Sequence, residues 1–510
     1  MRTSIRPIFL ASLIIGCLVS IAKAQDFEFG KVRSAELEMK SYPADTTAGA
    51  VVLSEFGEAH IETSDRVTLT FLYHSKIKIL KRSGFEKANF AIVLQKSNGS
   101  QEHWLSLEAV THNLDGTSIK TSSMDSKAFF VDKASKYYDI IKFTLPDIRI
   151  GSVIEVRYTL SSPFFFNFRS WEFQDDIPKI RSEYWANIPA NYDFNIALKG
   201  YLQLSKTENK IIKDCFVAGG ITADCTLIKY IMENIPAFPE EEFMTAKSNY
   251  LSAINFELSQ IRTFDGRVDR ISRDWKDVDD ELRQHENFGK QIRKARGLDD
   301  PKLKSLVGNE TNPLQKATII YEYIKGWFAW DGTYSKYSVN DTKKAYESQK
   351  GNVGDINLTL IGVLQSYDVD ADPVMLSTRS NGEATKLYPV LSEFNYVIAR
   401  VKIGEKTYLL DATDDFLPFG MLPIRCLNGS GRLISKTESS WVELNPREKK
   451  KTFTMVEMKL MDDGKFDGKI LIQSHGYAAM MTRREIASSK DHASYGASVE
   501  KKMLNAEIQD

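Results

Sequence analysis

Residues 351–364 read GNVGDINLTLIGVL, and this stretch decides how the centre of the chain is interpreted. Its first five residues have the composition of a loop, whereas the rest is apolar enough for a buried helix. A loop that leads into a helix N-terminus suits a nucleophile, because the unpaired amides and the helix dipole stabilise negative charge there. Such a site would need a cysteine here, a histidine on a neighbouring strand as the base, and an acid on the next strand to orient that histidine.

Helical patterns precede this stretch and strand patterns follow it. The apolar residues within 275–297 recur at near-helical spacing and predict one amphipathic helix, and Pro313 and Asp341 each stand at the start of a further helix. Three strand-like segments follow, at 371–378, 394–401 and 407–411. Helices followed by antiparallel strands predict an α+β domain.

The segment from about 312 to 430 resembles the transglutaminase-like (papain-like cysteine-protease) core. In that family a Gly-x-Cys-x-Asp motif opens the helix, a histidine begins a later strand, and an aspartate precedes x-Thr in the next strand. Here Val353 stands at the cysteine position. Asn395, within EFNYV, stands at the histidine position, and Asp411, within LDAT, keeps the acid. The sequence WFAWDG at 327–332 also resembles the family's stretch before the motif.

These replacements bear directly on chemistry. Valine cannot ionise or attack a carbonyl, and asparagine cannot shuttle protons near neutral pH. The only cysteine in this segment is Cys426. No histidine lies within it, since the seven are His60, His74, His103, His112, His285, His475 and His492. The resemblance therefore implies a degenerate triad with no ordinary Cys-His catalysis.

Two carboxylates of the segment have alternative interpretations. Asp355 is expected to cap the helix, and Asp411 to accept hydrogen bonds from the former site. As a functional pair they could instead serve hydrolysis. No metal site and no cofactor are predicted.

Residues 25–265 read mostly as short strands separated by turns, which predicts an all-β sandwich. The sequences at 146–158 and 171–174 resemble a domain of uncharacterised function that precedes transglutaminase-like cores in exported bacterial proteins. The aromatic cluster at 164–173 is expected to pack in a core, with a ligand-stacking platform as the alternative. Cys215 and Cys225 flank a glycine-rich turn, and both a disulfide and two buried thiols are compatible with this spacing.

The N-terminus predicts export. Residues 1–24 combine a positive start, an apolar run and an Ala-Lys-Ala cleavage pattern, which is typical of a signal peptide. Lipid attachment at Cys17 is the alternative. We expect a periplasmic or envelope location with no transmembrane span in the mature chain. The 67 basic and 68 acidic residues are nearly balanced, which argues against a nucleic-acid partner.

The sequence thus predicts a multi-domain protein: a signal peptide at 1–24, a β-sandwich at 25–265, a helical linker at 266–310, a transglutaminase-like domain at 311–440, and the start of a further β-containing domain at 452–510. The expected function is non-catalytic, either binding of an extended peptide, a glycan or an envelope protein, or scaffolding. The candidate residues of a binding cleft are Trp330, Asp355, Asn395 and Tyr396. The alternative is a hydrolase or protease of peptide or cell-wall amide bonds with reassigned residues.

Overall fold

The computed structural model describes residues 28–63, 66–97, 99–125, 127–134, 138–271, 274–437, 439–503 and 507–508. The predicted signal peptide, with Cys17, lies outside the described residues. The chain divides into two compact units. The first runs to Ala190 and includes Leu202–Phe238, and the second comprises Asn191–Tyr201 and the chain from Pro239 onwards.

The strands of the described residues are, in chain order, β1 (Ala50–Thr63), β2 (Val67–Ile79), β3 (Asn89–Ser97), β4 (Ser100–Gln101), β5 (His103–Asp115), β6 (Ser118–Ser123), β7 (Phe129–Asp132), β8 (Tyr138–Thr144), β9 (Val153–Ser162), β10 (Trp171–Glu172), β11 (Lys179–Pro189), β12 (Tyr192–Lys199), β13 (Lys206–Ala218), β14 (Ile221–Ile235), β15 (Ala253–Arg262), β16 (Val268–Arg270), β17 (Ala329–Trp330), β18 (Lys350–Gly351), β19 (Asp370–Leu376), β20 (Tyr396–Ile403), β21 (Lys406–Leu410), β22 (Ser430–Ile434), β23 (Ser439–Glu443), β24 (Lys450–Leu460) and β25 (Phe466–Gly476). The α-helices of the same residues are α1 (Ser34–Glu38), α2 (Trp275–Gln284), α3 (Gly289–Ala295), α4 (Pro301–Val307), α5 (Pro313–Trp327), α6 (Thr342–Ser348), α7 (Val353–Ser366), α8 (Tyr477–Ser488) and α9 (His492–Lys502).

The first unit is built from β-strands. Its larger sheet has eight strands in the order β13-β14-β11-β1-β2-β9-β5-β6, and a smaller sheet has the order β4-β3-β8-β7. Strands β1 and β11 are parallel, while β1 and β2 pair antiparallel over nearly their whole length. Burial along β1 and β2 is almost continuous, which explains why their sequences lack a clean two-residue alternation. A β-rich N-terminal domain is therefore confirmed.

The disulfide and the aromatic cluster both belong to this unit. Cys215 and Cys225 form a disulfide, with their Cα atoms 5.8 Å apart. They lie on β13 and β14, which a tight turn at 219–220 connects. Most of the aromatic cluster is buried. Its Trp171 stacks on Tyr184, with the ring centroids 5.2 Å apart. The cluster therefore packs in a core, although Phe166 is 53% exposed.

The second unit combines helices with a five-stranded antiparallel sheet of order β21-β20-β19-β22-β23. Helix α7 is buried along nearly its whole length, and one apolar core joins it to the sheet and to the preceding helices. The single helix predicted at 275–297 is wrong, because the structure has α2 and α3 instead. The backbone leaves the helical conformation at Phe288, whose side chain is fully buried. Gly289 approaches the backbone of Arg283 so closely that a Cβ on Gly289 would lie 2.1 Å from the Arg283 carbonyl oxygen.

The compact units divide the chain differently from the predicted domain bounds. Strand β12 and the antiparallel ladder that it forms with β15 and β16 belong to the second unit, whereas the sequence grouped residues up to 265 with the N-terminal domain. The predicted linker, 266–310, contributes Leu282, Ile292 and Leu303 to the core of the second unit. Tertiary packing decides these boundaries, and local sequence does not encode it.

The last part of the second unit is a long hairpin and two helices. Strands β24 and β25 pair in register from Lys450↔Gly476 to Leu460↔Phe466. Helix α8 follows, and its Tyr477 and Met480 pack against Leu417 and Met421. The hairpin that the sequence predicts around 462–464 is therefore present.

Candidate functional site

The N-terminus of α7 is the structural centre of the candidate site. Asn352 caps the helix: its side-chain oxygen accepts from the amide of Asp355 at 2.7 Å, and the Asp355 carboxylate accepts from the amide of Asn352 at 3.1 Å. Val353, the first residue of the helix, is fully buried. The position that a nucleophile would need is thus closed by apolar packing.

The Asp355 carboxylate has a structural role. It is fully buried and accepts further hydrogen bonds from the Ser338 hydroxyl at 2.5 Å, from the Val339 amide at 3.1 Å, and from the amide and side chain of Asn340 at 3.2 and 3.1 Å. The sequence expected Asp355 to cap α7; the N-cap is Asn352, and Asp355 supplies the reciprocal hydrogen bond of the capping box. Asp355 was also a candidate for a binding cleft, but its oxygens are occupied within the fold.

Gly354 provides a prediction about the same helix start. A Cβ at this position would lie 2.2 Å from the backbone oxygen of Tyr337, and backbone cannot move aside cheaply. We expect Gly354→Ala to lower the free energy of unfolding by about 2–3 kcal/mol through overpacking. Urea unfolding measures this, with Gly326→Ala as the control, because Gly326 is helical and its added Cβ meets no atom within 4 Å. Equal stability of both variants would contradict the prediction.

Asp411 lies at the end of β21 and is fully buried. Its Oδ1 accepts from the Asn357 amide at 3.0 Å and from the amide and hydroxyl of Thr413 at 3.0 and 2.8 Å. Its Oδ2 accepts from the Tyr396 hydroxyl at 2.7 Å, and the guanidinium of Arg425 lies 3.5 Å away. The expectation that Asp411 accepts hydrogen bonds is confirmed.

Tyr396, rather than its neighbour Asn395, contacts the acid. Strand geometry sends neighbouring side chains to opposite faces, so only one of them can reach Asp411. The side chain of Asn395 bonds Thr378 instead, with its oxygen 2.9 Å from the amide and its nitrogen 3.0 Å from the hydroxyl. The sequence resemblance put Asn395 at the histidine position, but the side chain next to Asp411 is that of Tyr396, one residue later. Burial raises the pKa of Tyr396 well above its usual value, and the charge of Asp411 raises it further, so this phenol stays protonated and donates.

Cys426 is the one free cysteine among the described residues. Its Sγ lies 3.9 Å from Oδ2 of Asp411 and is fully buried. Burial raises the pKa of this thiol well above its usual value, and the carboxylate of Asp411 raises it further. Both effects favour the neutral thiol near neutral pH.

No histidine reaches this centre in the described structure. The ring of His285 stacks on Tyr337, and its Nδ1 accepts from the amide of Asn287. His475 lies on the β24–β25 hairpin, edge-on to Phe453. In the described part of the chain, no cluster of three or more His, Cys, Asp or Glu is arranged to hold a metal ion.

A cationic and aromatic surface lies directly outside the buried centre. The guanidinium of Arg425 donates to the Tyr396 hydroxyl at 3.0 Å and the Thr413 hydroxyl at 2.6 Å, and it sits 4.8 Å above the ring of Trp330. Trp330 in turn stacks on Tyr334, with ring centroids 5.7 Å apart. We call Trp330, Tyr334 and Arg425 the aromatic–arginine surface. Trp330 also pairs with Gly351 in the β17–β18 ladder, which fixes this surface beside the start of α7.

The sequence found part of this site. Trp330 and Tyr396 were candidate residues, although Tyr396 is fully buried and belongs to the closed centre rather than to a surface. Asn357, which bonds both Asp411 and the carbonyl oxygen of Val397, was missed. A polar side chain within an apolar helix was the signal for it. Arg425 had no comparable signal, because a loop arginine is usually solvated.

Comparisons with known proteins agree with the sequence resemblance in outline. A family model for a domain of unknown function (DUF3857) matches residues 66–214. This range contains 146–158 and 171–174, the two segments that carried the resemblance of the N-terminal region. The search of curated proteins gave no match.

Among solved structures, the chain is similar to a "putative protease" from Parabacteroides distasonis. The sequence identity is 12%, the match covers 78% of this chain and 72% of that one, and the TM-score is 0.51. The two proteins share a fold. Two further matches are a "putative cysteine protease" from Cytophaga hutchinsonii (8% identity, covering 83% and 93%, TM-score 0.20) and a "putative nutrient binding protein" from Legionella pneumophila (10% identity, covering 56% and 83%, TM-score 0.21). Their TM-scores are too low to support an argument.

Within the described residues, no helix has both the length and the apolar character that a membrane span requires.

Proposed function

We propose that the second unit is a transglutaminase-like core that has lost catalysis and binds an extended peptide at its aromatic–arginine surface. The observation that carries the proposal is the joint replacement of the reacting groups: a buried valine starts α7, and a tyrosine bonds the orienting acid. Valine offers no nucleophile, and a tyrosine with a raised pKa offers no base near neutral pH.

The remaining cysteine gives the hydrolase alternative no support. Cys426 lies beside Asp411 and is fully buried, and its thiol has a raised pKa. Its sulfur is fully buried beside the Asp411 carboxylate, so substrate could reach it only if the surrounding packing opened. The intact Asp411 network therefore favours a structural role for these residues.

The aromatic–arginine surface favours binding. Tyr334 is 39% exposed, and its ring lies nearly parallel to the ring of Trp330. Stacked aromatic rings with an arginine suit peptide groups and carboxylates, because they offer flat apolar contact together with a fixed positive charge. An extended peptide that lies across this surface would be bound without turnover.

Binding of short unstructured peptides tests this proposal. With fluorescein-labelled acidic decapeptides as probes, we expect Trp330→Ala to weaken binding roughly tenfold, since a stacking residue contributes about 1–2 kcal/mol. Phe264→Ala is the control, because Phe264 is an exposed aromatic residue, at 37%, in the turn between β15 and β16, away from this surface in sequence. Fluorescence polarisation measures both variants.

Two outcomes would contradict the proposal. One is equal binding by wild type and Trp330→Ala. The other is binding of soluble peptidoglycan glycan strands by wild type in preference to the peptides, which would assign the surface to glycans. Detection of peptide cleavage by wild type would revive the hydrolase alternative.

A further inference from the structure

One face of the large sheet in the first unit carries an unusual density of buried charge. His74, Lys76 and Lys78 alternate along β2 and therefore share a face. Glu155, directly opposite Lys76 on β9, lies on the same face. His74, Lys78 and Glu155 are fully buried, and Lys76 is 3% exposed. Burial of so many ionisable groups is costly unless each one is paired or hydrogen-bonded.

Glu155 is the centre of this cluster. Its Oε1 lies 2.6 Å from Nε2 of His74, and its Oε2 lies 3.3 Å from Nε2 of His112, which is also fully buried. The other ring nitrogen of His112 bonds the hydroxyl of Thr121 at 2.9 Å. Both histidines thus point a nitrogen at one carboxylate. An anionic Glu155 can accept one hydrogen bond from the N–H of each neutral ring.

The N-terminal segment 28–38 covers this face and supplies its remaining partners. The Gly30 amide donates to Glu155 at 2.9 Å. The ammonium of Lys76 donates to the carbonyl oxygen of Lys31, and that of Lys78 to the carbonyl oxygen of Leu37, both at 2.6 Å. These contacts fasten the segment at three points along its length.

Two side chains of the segment add weaker contacts. Glu36 lies 3.8 Å from Lys76. The ring of Phe29 lies 4.7 Å from the guanidinium of Arg157 and 5.6 Å from the ring of His74. The segment is therefore held by charged and polar groups, and its Val32 and Leu37 also pack in an apolar cluster.

Protonation changes the balance of this cluster. Among the described residues, charged groups that face His74 are Glu155 and Arg157 from β9 and Lys76 from its own strand. Around these groups, Glu36 of the segment faces Lys76, and Glu108 of β5 pairs with Arg157. Lys78 lies two residues after Lys76 on β2. A proton added to His74, which is fully buried, would place a further positive charge beside Lys76 and Arg157.

We propose that residues 28–38 form a pH-sensitive strap, which docks on this face while His74 is neutral and detaches when it becomes charged. Detachment hydrates the His74 imidazolium and Lys76 together. The strap is a conformational device of the first unit and does not depend on the function proposed for the second.

The directions of the pKa shifts agree with this geometry. Burial lowers the pKa of His74 below its usual value of 6.5, although the bond to Glu155 acts in the opposite direction. A histidine with a lowered pKa in the docked state stabilises docking fully above pH 6.5, and this contribution is lost as the pH falls below that value. Burial alone would raise the pKa of Glu155, but the bonds from His112 and His74 lower it from 4.5 to about 2. Its contribution is present above pH 4.5 and is lost only at lower pH.

A fluorescent label on the strap tests the proposal in the full chain. Ser34→Cys provides an exposed attachment point in α1, and Ser123→Cys provides a control on exposed strand β6. We expect the anisotropy at position 34 to fall as the pH is lowered from 6.5 to 4.5. These two limits are the usual pKa values of a histidine and a glutamate. The anisotropy at position 123 and the far-ultraviolet circular dichroism should stay constant over the same range.

Histidine variants separate the strap from general acid effects. In a His74→Gln variant of the Ser34→Cys protein, the transition should disappear, because glutamine does not titrate. His60→Gln is the matched control, since His60 is partly exposed on β1 beside Glu62 and should leave the transition unchanged. A constant anisotropy at position 34 in the protein that carries only Ser34→Cys would overturn the proposal. So would an unchanged transition in the His74→Gln variant.

Discussion

Asp355→Ala is expected to lower the free energy of unfolding by roughly 4 kcal/mol, because it removes the acceptor of several buried donors at once. The Ser338 hydroxyl, the Asn340 side chain and the amide of Asn352 lose their partner. The amides of Val339 and Asn340 lose theirs as well. A chemical denaturation curve of each variant gives the difference.

The control for Asp355 separates this network from ordinary helix capping. Asp274 caps α2 through one hydrogen bond to the amide of Asp277, at 2.8 Å, and it is exposed. We expect Asp274→Ala to cost only about 1 kcal/mol, as is usual for loss of an N-cap. If the two alanine variants have similar stability, the Asp355 carboxylate is no more than a cap.

Asp411→Ala is expected to cost about 3–5 kcal/mol, because it leaves Arg425 and the Tyr396 hydroxyl without their buried anion. The side chain of Asn357 would also lose an acceptor. Since Arg425 is 21% exposed, part of its charge would regain water, which places the effect towards the lower end of this range. Asp415→Ala is the matched control, because Asp415 is exposed in the same loop, and its removal should change stability by less than about 0.5 kcal/mol.

A double-mutant cycle shows whether Asp411 and Arg425 act as one unit. We expect Asp411→Asn and Arg425→Met to be coupled by about 1–3 kcal/mol, since residues in one network are not additive. Additive effects would mean that Arg425 serves mainly to cover the ring of Trp330.

Sequence reasoning recovered the local elements of the second unit well. Asn312-Pro313 and Asp341 begin helices where the sequence expects them, because a capping side chain and the missing amide of proline act within a few residues. The prediction failed at 275–297, where the apolar spacing continues through a break in the helix. Phe288 keeps the pattern of a helix while its backbone leaves the helical region, since core packing fixes its side chain.

The candidate site divides in the same way. The sequence by itself determined that no cysteine begins α7 and that no histidine lies between positions 286 and 474, because these are facts of residue identity. Only the tertiary structure decided that Tyr396 bonds Asp411, that Cys426 is beside them, and that Arg425 covers the pair. Residue type sets which chemistry is available to a chain, whereas contacts between residues far apart in sequence depend on how the strands and loops pack, and a one-residue change of strand register reverses which side chain faces the acid.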